Sequence, residues 1–213
     1  MLIDLETFHE TKLTVEPYRH VVVPRFLPSV LCRDVARDFP RLDVGGLFLP
    51  ESAPPGPVVA RIIEELESEE MRAAVGRQLG LDLAGHPTLT TLRCRWQARD
   101  GRIHPDADFK LATMLLYLNE AWMPGGGRLR ILNSGEDIED YTAEVTPEFG
   151  TLVCFRVQPN SWHGHKPFVG PRRYIMLNYC RDAALRDAEA RRHVISTRFK
   201  KIRRLLLPRA IAA

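Results

Sequence analysis

Residues 86–119 read HPTLTTLRCRWQARDGRIHPDADFKLATMLLYLN, and how this stretch divides decides the fold. Two apolar, β-branched runs, LTTLRCRW (89–96) and LATMLLYL (111–118), flank a segment carrying Gly, Pro and Asp. Such a pattern predicts two strands joined by a loop, with HPD (104–106) inside the loop. The same texture continues downstream. Further strands are predicted near 128–132, 142–145, 150–156 and 173–180. Short strands at this spacing argue for a barrel or a double-sheet jelly roll.

Outward from that core the texture is helical. PSVLCRDVARDFP (28–40) places Val30, Leu31, Val35 and Ala36 at helical spacing between prolines, which predicts a short helix. Residues 41–58 are rich in Gly and Pro and read as loop. PVVARIIEELESEEMRAAVGRQLG (57–80) predicts one broken helix or two consecutive ones. Val58, Ile62, Ile63 and Leu66 form its apolar stripe, and Gly80 is its stop. RDAALRDAEARR (181–192) returns to helix, and the basic tail RFKKIRRLLLPRAIAA (198–213) is a terminal helix or a loosely ordered end. The expected plan is a single α+β domain. Residues 1–85 form a mainly helical support, 86–181 a jelly-roll (double-stranded β-helix, cupin-like) core, and 182–213 a C-terminal helix and tail.

The chain has 213 residues, 45% of them apolar, which is material for a real core. A net charge of +3 is too mild to imply nucleic acid. No run approaches the roughly 18 apolar residues of a membrane span. The start, MLIDLETFHE, lacks the apolar region of a signal peptide. Cys32, Cys94, Cys154 and Cys180 are scattered, as expected of reduced thiols in a cytoplasmic protein.

In an extended segment, residues i and i+2 face one side. His104 and Asp106 in such a segment can grip one metal ion. A third ligand completes one face of an octahedron, the two-histidine, one-carboxylate arrangement of non-haem Fe(II) sites. His163 and His165, in NSWHGHKPFVGPRRYIMLNYC (160–180), both qualify as that ligand. Arg173, ten residues past His163, opens the following apolar strand, and an inward Arg there needs a bound anion. A dicarboxylate co-substrate would supply one, held by two parallel hydrogen bonds.

Four ordered elements then carry a resemblance: DGRIHPD, TMLLYLNEAWMPGGGRLRIL, GTLVCF and SWHGHKPFVGPRRYIMLNY. Over roughly residues 90–180 the sequence resembles the Fe(II)/2-oxoglutarate-dependent dioxygenases, specifically their prolyl-4-hydroxylase-like branch. The resemblance implies that His104, Asp106 and His163 are the iron ligands; Asp108 is the rival to Asp106, and His165 the rival to His163. It implies that Arg173 pairs with the far carboxylate of 2-oxoglutarate, and the register of Tyr174–Ile175 favours Arg173 over Arg172. Tyr117 would bond the same carboxylate, Leu129 would form an apolar wall, and Thr113 would add a hydroxyl to the pocket. The implied activity is hydroxylation of an unactivated C–H bond, with dioxygen consumed, succinate and CO2 released, and ascorbate as an accessory reductant. Substrates in that branch are prolyl or amino-acid side chains, in a peptide or protein, or small metabolites. Six residues past Arg173 stands Tyr179 rather than the second Arg of the nucleic-acid demethylases, which disfavours a nucleic-acid substrate. The competing reading is a non-catalytic jelly-roll module that binds a ligand or metal as a sensor.

Overall fold

The computed structural model describes residues 1–42 and 44–206. The helices are α1 (Leu5–Glu10), α2 (Cys32–Asp38), α3 (Pro57–Leu66), α4 (Glu69–Leu79) and α5 (Ala183–Leu206). The strands are β1 (His20–Val23), β2 (Thr88–Trp96), β3 (Lys110–Tyr117), β4 (Leu129–Leu132), β5 (Tyr141–Val145), β6 (Leu152–Arg156), β7 (His163–Gly164) and β8 (Gly170–Cys180). Five strands form one sheet in the order β1-β6-β3-β8-β2, and three form a second in the order β5-β4-β7. Every strand pairing is antiparallel. This is the α+β, double-stranded β-helix plan expected from the sequence. The helical reading of the basic tail holds as far as Leu206, and residues 207–213 lie outside the described residues.

Residues 57–80 are two helices, not one. The side chain of Ser68 accepts the Met71 N–H and starts α4, with Glu69 and Glu70 favourably placed in its first turn. Gly80, at φ +66°, ends α4 in the left-handed conformation open to glycine. The six-residue α1 was not anticipated. Its local signal is Asp4, whose carboxylate accepts from both the backbone and the hydroxyl of Thr7.

The five-stranded sheet has two buried faces. Met114, Leu116, Ile175, Leu177 and Tyr179 pack with Val59, Ile62, Leu66 and Met71 of α3 and α4. The alternate residues Leu115, Tyr117 and Tyr174 pack with Leu129, Ile131 and Val145 of the smaller sheet. Period-two alternation therefore assigns each β3 and β8 side chain to the helical layer or to the interior between the sheets.

Candidate active site

The GRIHPD segment is fastened to β7. His104 and His163 exchange both backbone hydrogen bonds, at 3.0 and 3.1 Å, and the His165 N–H donates to the Gly101 carbonyl at 2.8 Å. Gly101 is required there. Its φ is +78°, and a Cβ would lie 2.0 Å from Nε2 of His165. This pairing brings the two imidazoles together, with ring centroids 4.4 Å apart.

One ligand atom each from His104, Asp106 and His163 lie within 4.8 Å of one another, the only such cluster among the described residues. The imidazoles are pre-oriented for a cation. His104 Nδ1 lies 2.7 Å from the Arg102 carbonyl, and His163 Nδ1 lies 2.9 Å from the Ser161 carbonyl. A carbonyl only accepts, so each Nδ1 carries the proton and each Nε2 keeps its lone pair. Burial pushes the His163 pKa down to about 4, and neighbouring His104 adds to the effect against the pull of Asp106. Burial alone would raise the Asp106 carboxyl. Lys110, His163 and the Thr113 hydroxyl outweigh it and hold the pKa at about 2. Two imidazole nitrogen donors beside an ionised carboxylate fit Fe(II).

The cluster opens on a cavity of about 210 Å³ between the sheets. Thr113 and Leu129 line it, and Tyr117 does not. Leu129 is an apolar wall, 4% exposed. The Thr113 hydroxyl, however, is engaged by Asp106 at 2.5 Å rather than left for a ligand.

The expected arginine is corrected by one residue. Arg172 lines the cavity, and Arg173 does not. Arg172 shares the inward face with Tyr174, while Arg173 falls on the other parity and is held by its backbone, whose N–H donates to Asn119 Oδ1 at 2.7 Å. The Tyr174–Ile175 register misled because both faces of β8 are covered, so apolar residues occupy both parities and alternation cannot be read. Arg172 is 2% exposed. Its Nε donates to the Gly127 carbonyl at 2.7 Å and its Nη2 to the Tyr117 hydroxyl at 3.1 Å. The guanidinium also lies over the rings of Trp96, Tyr117 and Tyr174. No carboxylate pairs with it among the described residues. A buried cation held by neutral partners creates demand for an anion at the cavity wall.

Residues 95–181 match the family model described as the 2OG-Fe(II) oxygenase superfamily. This segment is a 2OG-Fe(II) oxygenase domain. The enzyme is a dioxygenase whose family uses Fe(II) and 2-oxoglutarate, with dioxygen as a reactant. The whole fold is similar to a Pseudomonas putida prolyl-4-hydroxylase (19% identity, 84% of this chain and 97% of that one, TM-score 0.54). It is also similar to a Burkholderia pseudomallei oxidoreductase of the 2OG-Fe(II) oxygenase family (15%, 76% and 84%, TM-score 0.51). A third similar fold is the viral collagen prolyl hydroxylase of Paramecium bursaria Chlorella virus-1 (14%, 77% and 96%, TM-score 0.51). No curated protein sequence matches the chain.

The rivals separate cleanly in the dioxygenase. His165 is outside the metal cluster. It packs edge-on against Trp96 at 4.7 Å, and burial, then Arg172, push its pKa down to about 4. Asp108 is exposed and also outside the cluster. Lys110 and Asn178 were missed by sequence reasoning. Lys110 Nζ lies 2.9 Å from Asp106 Oδ1, across a loop that conveys no sequence periodicity. Asn178 had a signal, as a lone amide within the apolar run YIMLNYC. On β2, Arg93 reaches the cavity and Arg95 is exposed. Arg130 is absorbed by Glu144 at 2.6 Å and Glu139 at 3.0 Å. None of the described helices is long and apolar enough to cross a membrane.

Proposed function

We propose that His104, Asp106 and His163 hold Fe(II), and that Arg172, steadied by the Tyr117 hydroxyl behind it, holds the far carboxylate of 2-oxoglutarate against the Leu129 wall. The observation that carries this reading is the pairing, in one cavity, of a cation-ready triad with a buried arginine lacking an acidic partner. With iron bound, the site couples oxidation of 2-oxoglutarate to succinate and CO2 with insertion of one oxygen atom into a substrate C–H bond. The protein's own contribution is positional. Nδ1–H bonds from His104 and His163 aim their lone pairs, Arg172, oriented by Tyr117, fixes the co-substrate's far end, and Trp96, Leu115 and Leu129 exclude water from the cavity.

The substrate of this reading is a prolyl or other amino-acid side chain, in a peptide or free, or a small metabolite. The branch resemblance and the similarity to prolyl hydroxylases support it. Counted from Arg172 rather than Arg173, the sixth residue on is Asn178, again not an arginine, so nucleic acid stays disfavoured. The test is an untargeted screen of amino acids, proline-bearing peptides and cell extract for products one oxygen atom heavier. Gain of mass that needs both iron and 2-oxoglutarate supports the reading. Gain confined to oligonucleotides, or to none of the three pools, contradicts it.

A further inference from the structure

The hydrogen bonds around Asp106 extend the site to a residue that does not line the cavity. Asp106 Oδ2 receives the Thr113 hydroxyl at 2.5 Å, and Oδ1 receives the Lys110 ammonium at 2.9 Å. The same Thr113 oxygen lies 2.9 Å from the side-chain amide of Asn178. Thr113 on β3 and Asn178 on β8 are directly opposite in the antiparallel register, and both are buried, at 1% and 0% exposure. One hydroxyl carries one proton, so Thr113 cannot donate to both a carboxylate and an amide oxygen. The ionised carboxylate is the nearer and stronger acceptor. Asn178 must therefore turn its NH2, not its oxygen, toward Thr113, since the two ends of an amide are interchangeable in shape. The opposite orientation would leave the amide nitrogen buried with no hydrogen-bond partner, an arrangement that native interiors avoid.

From this the geometry points to a one-way relay, Asn178 to Thr113 to Asp106, that positions the metal-binding carboxylate. It rests on the assignment of Asp106 as a ligand. Asn178 donates to the Thr113 oxygen and fills its acceptor site, which leaves the Thr113 proton a single destination. Asp106 is thus held at one oxygen by Thr113 and at the other by Lys110. The cation meets a carboxylate whose rotation is already fixed. Thr113 and Asn178 are positioning residues in this scheme. Partners of this kind typically change metal affinity by about 10- to 100-fold.

Mn(II) affinity of the metal-free protein tests the relay without turnover, read by the electron paramagnetic resonance of the free ion. Thr113→Val should weaken Mn(II) binding about 10- to 100-fold, and Thr113→Ser, which keeps the hydroxyl, should restore it. Asn178→Asp should weaken binding similarly, because a second carboxylate competes for the one hydroxyl proton. Parent-like affinity in Asn178→Asp would overturn the relay's direction, since it would mean that residue 178 already accepts. Should that variant fail to fold, Asn178→Leu replaces it, with weakened binding supporting the relay and unchanged binding overturning it. His104→Ala separates the two levels. If it abolishes Mn(II) binding while Thr113→Val leaves it intact, the relay alone fails. If His104→Ala binds normally, the ligand assignment fails.

Discussion

Replacing Arg172 by Gln should cripple 2-oxoglutarate binding, and the same change at Arg173 should not. The magnitude follows from where the guanidinium sits. Arg172 is 2% exposed, its orientation fixed by Gly127 and Tyr117, with aromatic rings around it. A carboxylate arriving there makes charge-assisted hydrogen bonds in a desolvated wall. Removing one partner of such a pair costs about 2–5 kcal/mol. At about 1.4 kcal/mol per tenfold, that is roughly 30-fold to several thousand-fold in affinity. Arg173→Gln removes a side chain that does not reach the cavity, and should stay within about the ±0.5 kcal/mol of an ordinary surface change. The assay is anaerobic calorimetric titration of 2-oxoglutarate into Mn(II)-loaded protein. Arg172→Lys adds a grade, since it keeps the charge and loses the planar fork, and should fall between parent and Arg172→Gln. Equal losses at both positions, or a larger loss at Arg173, would refute the strand parity on which the assignment depends.

Two further outcomes follow from burial and backbone conformation. His163 and His165 are held neutral, with pKa values pushed down to about 4 from an unfolded value of about 6.5. The unfolded chain takes up these protons first, so metal-free protein should lose stability as pH falls from about 6.5 to about 4, by several kcal/mol in total. Asp106, depressed to about 2, extends the loss below about pH 4. Urea unfolding across that range measures it, and a flat profile would contradict the buried-neutral assignment. Gly101→Ala should destabilise the protein by about 1–3 kcal/mol through its positive φ alone, and more through collision with His165. It should lower the melting temperature and Mn(II) affinity together. A silent substitution would mean that the GRIHPD segment is not fastened to β7 as described.

Much of this site was legible because its chemistry is written in residue type and order. His104, Asp106 and His163 stand in an order that pointed to a shared metal, and the structure brings their ligand atoms together; the β-branched runs around them mark the sheets. What failed was orientation. β8 is covered by helices on one face and by the smaller sheet on the other, so its sequence is apolar at both parities, and Arg172 could not be told from Arg173. Lys110 reaches Asp106 only because the loop between them reverses the chain. The helix α1 and the two-residue β7 are too short for periodicity to register. Asn178 was visible as a polar residue in an apolar strand, yet its meaning needed the cross-strand partner Thr113, which only the register supplies.

The central claim is that the His104–Asp106–His163 cluster, once loaded with Fe(II), turns over 2-oxoglutarate. The direct measurement is succinate release from protein loaded anaerobically with Fe(II), given 2-oxoglutarate and then exposed to air. Iron-dependent succinate is expected in the parent and none in His104→Ala. Absence of succinate in the parent, together with no metal-dependent thermal shift, would contradict it, as would parent-level succinate from His104→Ala.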